Sequence, residues 1–257
     1  MNKLLLLSGN EIPFPEAQVT IHPPKIKEIA YIGEEAFFVG CGLLDFSKNI
    51  LADSDKDRLS NYDDFDILMS IMIDKKNKDS KHSVDCALLV LSLIFPLYQI
   101  EVRINEIALK KDQEEYSINK KNFFHFKKIL STMFNLKSGQ GAQEDYDPKG
   151  DMAKRIAEKF KKRHEKLMKL QNEKSKDQKE INILNRYISI LAVGLQKDLN
   201  DLMQYTIYQL YDEFQRFQLK MQWDAYLQAR MAGAKDLEEV DNWMIDLQDI
   251  GTKQNKK

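Results

Sequence analysis

Residues 206–232 constrain this chain more than any other stretch. Read as a helix, they place Ile207, Leu210, Phe214, Phe217 and Met221 at steps of three and four, which puts all five on one face. A second face carries Tyr208, Tyr211, Trp223 and Leu227. A helix with two greasy faces cannot stand alone in water and must pack against other helices or a partner. An aromatic stripe at this spacing is ordinarily plain core, and that reading covers the 203–221 face. The second face is harder to absorb, because a small helical domain has too little interior to cover both. The pattern therefore favours a binding or assembly protein over an enzyme.

Charge excludes little at the level of the whole chain and more at the level of segments. Lys and Arg number 39 against 40 for Asp and Glu, so no global field draws the protein to nucleic acid or to a membrane. The stretch 151–179 nevertheless carries about six net positive charges, whereas 236–249 is acidic through Asp236, Glu238, Glu239, Asp241, Asp246 and Asp249. Two cysteines, Cys41 and Cys86, sit in apolar company and read as buried free thiols of a reducing compartment. The opening run Leu4–Leu7 is too short for a secretory signal. The apolar run from Cys86 to Tyr98 contains Pro96 and falls short of the roughly 20 residues a membrane span needs. A cytoplasmic protein without a membrane segment is expected.

Periodicity predicts an α+β chain, mostly helical, with a small antiparallel β-sheet in an N-terminal domain and an all-helical C-terminal domain. Residues 3–7 and 17–22 read as short strands around the Ser8-Gly9-Asn10 turn. Pro23-Pro24 then opens a helix that Gly33 interrupts and Glu34–Leu44 resumes. Further helices are expected over about 64–73, 84–95 and 120–134. Ile100, Val102 and Ile104 alternate with charged residues, as a half-wet strand does, with Ile107 and Leu109 in its partner. Residues 137–150 hold glycines, Pro148 and no periodicity, and read as a linker between domains 1–136 and 151–257. Helices are predicted at about 151–178, 180–194, 198–204 and 206–232, followed by disordered last residues. Thr206 and Gln209 have capping-box spacing, and Gly233 is a stop signal.

No residue pattern supplies catalysis. His22, His82, His125 and His164 stand in no metal-ligand spacing. Asp53-x-Asp55-x-Asp57 imitates the start of a calcium loop but lacks the glycine and terminal glutamate that follow in one. Neither a phosphate-cradling loop nor a nucleophile elbow occurs. No catalytic residue, metal or cofactor is expected. The basic helix could contact phosphates through Lys161, Lys162 and Arg163. The plainer reading is a solvated face, with Glu158 and Glu165 pairing Lys162 and Lys169 four residues on. Base-stacking aromatics are missing beside these lysines, so nucleic acid is not the expected partner.

Three segments together carry a resemblance. The first is the early Leu4–Phe14 and Val19–Ile21 region leading into Pro23-Pro24-Lys25-Ile26. The second is Tyr205-Thr206-Ile207-Tyr208-Gln209-Leu210-Tyr211, and the third runs from Trp223-Asp224-Ala225-Tyr226 to Asn242-Trp243-Met244. This layout resembles the tail assembly chaperones of tailed bacteriophages, small products of tail-morphogenesis genes. The resemblance implies a non-catalytic protein of the bacterial host cytoplasm that binds other tail proteins, the tape measure and the tail tube, while the virion is built. Self-association is compatible with it. Aromatic residues dominate interface energetics, so Tyr208, Tyr211, Trp223, Tyr226 and Trp243 are the expected partner-binding residues. Two rival readings are a nucleic-acid-binding accessory protein of a mobile element and a structural tail component retained in the particle. The basic helix 151–169 is not a feature of that chaperone group.

Overall fold

The computed structural model describes residues 3–48, 59, 61–74, 78–136, 183–234, 240 and 242–244. The linker 137–150, the basic helix with Lys161, Lys162 and Arg163, and Asp53, Asp55 and Asp57 lie outside the described residues. The architecture is α+β: helices with two small antiparallel sheets in the N-terminal region and helices towards the C-terminus.

The chain opens with α1 (Lys3–Ser8), a helix where the sequence suggests a strand. Leucine, which has no branch at Cβ, favours helix over strand, since it loses little side-chain freedom there. Ser8 Oγ donates back to the Leu5 carbonyl at 2.7 Å. Gly9, at φ 67°, then turns the chain with its N–H on the Leu6 carbonyl. The first strand comes later, β1 (Ile12–Phe14), and pairs with β2 (Val19–Ile21) across a 3-10 turn at Pro15–Ala17. The register Ile12↔Ile21 and Phe14↔Val19 sends all four side chains inward.

The expected break at Gly33 is present. α2 (Ile26–Ile32) ends there and α3 (Glu34–Leu44) begins. Pro23 and Pro24 lie ahead of α2 rather than inside its first turn, because Lys25 is the N-cap and Glu28 closes a capping box. α4 (Asp64–Ile73) carries a capping box between Asp63 and Asp66, and α5 (Lys78–Ile94) follows. α3 and α5 pack so closely that a Cβ on Gly40 would lie 2.4 Å from the Cys86 carbonyl oxygen.

A second sheet is a meander of β3 (Gln99–Arg103), β4 (Glu106–Lys111) and β5 (Glu114–Asn119). Its register aligns Ile100 with Leu109, Val102 with Ile107, Leu109 with Tyr116 and Ile107 with Ile118. One face is therefore apolar. The other carries Arg103 between Glu115 (2.5 Å), Glu106 (2.9 Å) and Glu101 (3.1 Å). Ile104 sits in the β3–β4 turn, 77% exposed, and not in the strand.

After α6 (Phe123–Met133), the described chain resumes with α7 (Ile183–Leu195), α8 (Leu199–Met203) and α9 (Ile207–Met231). Residues 1–136 and 182–257 form one compact unit, and 137–181 a second. Within the first unit the core is continuous. Phe14, Phe37, Phe95, Phe126 and Phe134 are fully buried in the same cluster as Leu184, Leu191, Leu202, Ile207 and Leu210. The rings contact directly: Phe37 meets Phe134 edge-on at 5.0 Å and Phe95 stacks near Phe126 at 6.1 Å. Each such ring stabilises the fold by about 1.5–3 kcal/mol through burial.

Candidate interaction surface

The start of α9 is pinned from three sides. Thr206 accepts from the Gln209 amide at 3.3 Å while Gln209 Oε1 accepts from the Thr206 amide at 2.8 Å, completing the capping box. Gln209 Nε2 also donates to the Leu7 carbonyl at 2.7 Å, tying the cap to α1. Ile26 donates its amide to the Tyr205 carbonyl at 2.8 Å, beside a bridge between Lys25 and Thr206. The helix cannot roll without breaking these contacts.

Its first half is core. Ile207, Leu210 and Phe214 are buried. Tyr187 of α7 stacks on Phe214 at 4.0 Å and meets Tyr211 edge-on at 5.2 Å. Gly194 gives Phe217 room: a Cβ there would lie 2.3 Å from the ring. Tyr208 and Tyr211 are half-buried against the core. Burial, with Tyr187 and Glu34 nearby, pushes the Tyr211 hydroxyl up to about 12. Lys197 Nζ is held by Glu213, by the Tyr205 hydroxyl at 2.6 Å, and above the Tyr205 ring.

The second half of α9 outruns that core. Met221 belongs to the stripe by spacing, yet it is 54% exposed. Leu227 and Met231 are exposed as well, Met231 at 88%. Trp223 and Tyr226 lie with ring centroids 5.8 Å apart. The Arg230 guanidinium sits over the Tyr226 ring and donates to its hydroxyl at 3.2 Å. Lys220 pairs with Asp224 at 2.5 Å. Beyond the helix, Gly233 takes φ 88° and Ala234 donates to the Ala229 carbonyl, a reversal that suits glycine.

The five aromatic residues therefore separate into groups. Trp223 and Tyr226 come together on the projecting half of α9. Tyr208 and Tyr211 lie about 22 and about 18 Å back along the helix from Trp223, at the core edge. Trp243 is placed by its backbone carbonyl, which accepts from Arg216 Nη1 at 3.1 Å. One apolar feature has no counterpart in the sequence reading. A groove of about 590 Å³ opens between α4, α5 and β3, with Ile73, Leu88, Val102 and Ile104 on its walls. An isoleucine in a two-residue turn was its only signal.

Among the described residues no group of three His, Cys, Asp or Glu could hold a metal ion, and no helix is long and apolar enough to cross a membrane. Cys41 and Cys86 are buried free thiols. Burial pushes both thiols up, and Asp85 and Glu35 push Cys86 further, although His82 Nε2 lies 3.7 Å from its sulfur. His22 bonds Glu28 at 3.1 Å, and His125 pairs with Glu16 at 2.7 Å. The described part of the aspartate cluster is structural: Lys120 bridges Asp63 and Asp66, and Asp64 holds Lys127 and the Lys48 amide.

Residues 174–248 match the model of a family described as YomV second domain. That family is phage-associated, taking its name from a Bacillus prophage protein. The match supports a phage protein. It spans α7, α8, α9 and the return to Trp243, less than a third of the chain. No curated protein and no solved structure matches the chain.

Proposed function

We propose that this chain is a non-catalytic binding protein of phage development, acting in the host cytoplasm during tail assembly as the tail assembly chaperones do. Its partners are then tail proteins, the tape measure and the tail tube, and the docking element is the projecting half of α9. The observation that carries the reading is the unequal burial of that one helix. Ile207 and Leu210 are 1% and 0% exposed, whereas Met221 and Met231 are 54% and 88% exposed. Leu227 and Met231, exposed on the side of α9 that carries Trp223, suit an amphipathic helix laid against it, because thioethers adapt to varied surfaces and rings supply contact area. The phage association of the matched region, which contains this helix, supports the same reading.

Tyr208 and Tyr211 act in this reading as supports of the helix rather than as contacts. Co-expression with the tape-measure and tail-tube proteins of the same phage tests it. The wild-type chain should co-purify with one of them, and Trp223→Ala with Leu227→Asp should abolish capture while preserving the fold. Equal capture by both forms would remove α9 from the interface.

A further inference from the structure

Among the described residues β3 is an outer strand: β4 pairs with one side of it and no strand pairs with the other. The two-residue turn Ile104-Asn105 joins Arg103 to Glu106, which makes these two a hydrogen-bonded pair. Alternation then gives Gln99, Glu101 and Arg103 to the β4 ladder. It turns the backbone N–H and C=O of Ile100 and Val102 to the open side. A further strand adds at an edge of this kind.

The side chains of β3 set what that strand must look like. Ile100 and Val102 are half-buried on the apolar side, and with Ile104 they line the groove of about 590 Å³. Ile104 is 77% exposed. Glu101 and Arg103 stand on the other side of the sheet, with side chains 48% and 34% exposed. An added strand therefore needs alternate apolar residues towards the groove and, between them, charges that oppose Glu101 and Arg103.

A second copy of β3 meets both conditions in one register. Antiparallel self-pairing that keeps the faces matched must centre on a residue, and Ile100, Glu101 and Val102 are the central choices. Centring on Glu101 sets two carboxylates directly opposite each other, which is unfavourable. Centring on Ile100 leaves Arg103 and Ile104 beyond the strand of the other copy. Centring on Val102 sets Glu101 opposite Arg103 of the second copy, and the reverse. It also sets Ile100 opposite Ile104 of the second copy, so the exposed isoleucine is covered at the groove. The open backbone groups of Val102 then bond to their own symmetry mates.

We propose that this protein forms a two-fold dimer in which β3 pairs antiparallel with β3 of a second copy about Val102, joining two three-stranded sheets into one. The proposal does not rest on the docking role of α9.

Sedimentation equilibrium of the full chain should show a monomer–dimer equilibrium, and Ile104→Lys should raise the dimer dissociation constant at least tenfold. A wild-type chain that is monomeric at every concentration, or an unchanged constant in Ile104→Lys, would overturn the pairing. Val102→Cys reads the register. It sets two thiols opposite each other with Cα atoms about 5.5 Å apart, within disulfide reach, so mild oxidation should give a covalent dimer. Glu101→Cys, with its symmetry mate two positions out of register, should not cross-link, and the native Cys41 and Cys86 are buried. Cross-linking through Glu101→Cys in place of Val102→Cys would overturn the Val102-centred dimer. Should Ile104→Lys lose its cooperative urea transition, the Val102→Cys cross-link decides alone: its formation supports the dimer and its absence overturns it. The chain carrying Trp223→Ala and Leu227→Asp should dimerise as wild type does. Loss of the dimer there would assign self-association to α9 and overturn the β3 pairing.

Discussion

Single residues decide how the later helices are held to the earlier ones. Glu34 Oε1 accepts from the Ile183 and Leu184 amides at 2.5 and 2.9 Å, so a side chain about 150 positions earlier caps α7. Glu34→Ala should lower stability by about 1 kcal/mol in urea denaturation, with Glu34→Gln retaining part of the cap. Gly40 is less forgiving. Its Cβ would meet backbone at 2.4 Å, which cannot swing aside, so Gly40→Ala should cost about 2 kcal/mol or more by forcing α3 from α5. Tyr211 offers a spectroscopic check on the packed half of α9. Burial raises its hydroxyl to about 12, so the neutral ring contributes stability that is present below pH 10 and is lost as pH rises through the folded value. The phenolate absorbance of wild type minus that of Tyr211→Phe should therefore titrate near pH 12, against about 10 for a free tyrosine.

At the scale of elements, local chemistry made some of the fold legible and left other parts hidden. The capping box at Thr206 and the stop at Gly233 bound α9 as their spacing predicts, and Thr206→Ala should destabilise the protein by about 1 kcal/mol in thermal or urea unfolding. The helix break at Gly33 and the alternation in β3 were equally readable. α1 was misread because four consecutive leucines have no period to separate helix from strand, and only its contact with α9 shows what it does. β5 went unseen because its inward residues, Tyr116 and Ile118, are too few to stand out among glutamates. The half-buried stripe of α9 was readable as far as Phe217 and misleading at Met221. Periodicity reports which residues share a face, not where the neighbouring body ends.

At the scale of the whole molecule, one core joins residues from the first 136 positions to the helices after 182, and no local pattern announces that union. Residue spacing names the aromatic residues of the last helix but not their arrangement in space. Trp223 and Tyr226 lie half-buried together on the later half of α9, Tyr208 and Tyr211 pack at the core edge, and the Trp243 carbonyl meets Arg216, distinctions made by tertiary packing. The account stands on the projecting half of α9 being a docking face. The most direct test is co-expression with the tape-measure and tail-tube proteins, comparing wild type with Trp223→Ala and Leu227→Asp after each variant is shown to unfold cooperatively. The account predicts a stoichiometric complex for wild type and its loss in the variant. An undiminished complex in the variant would contradict it.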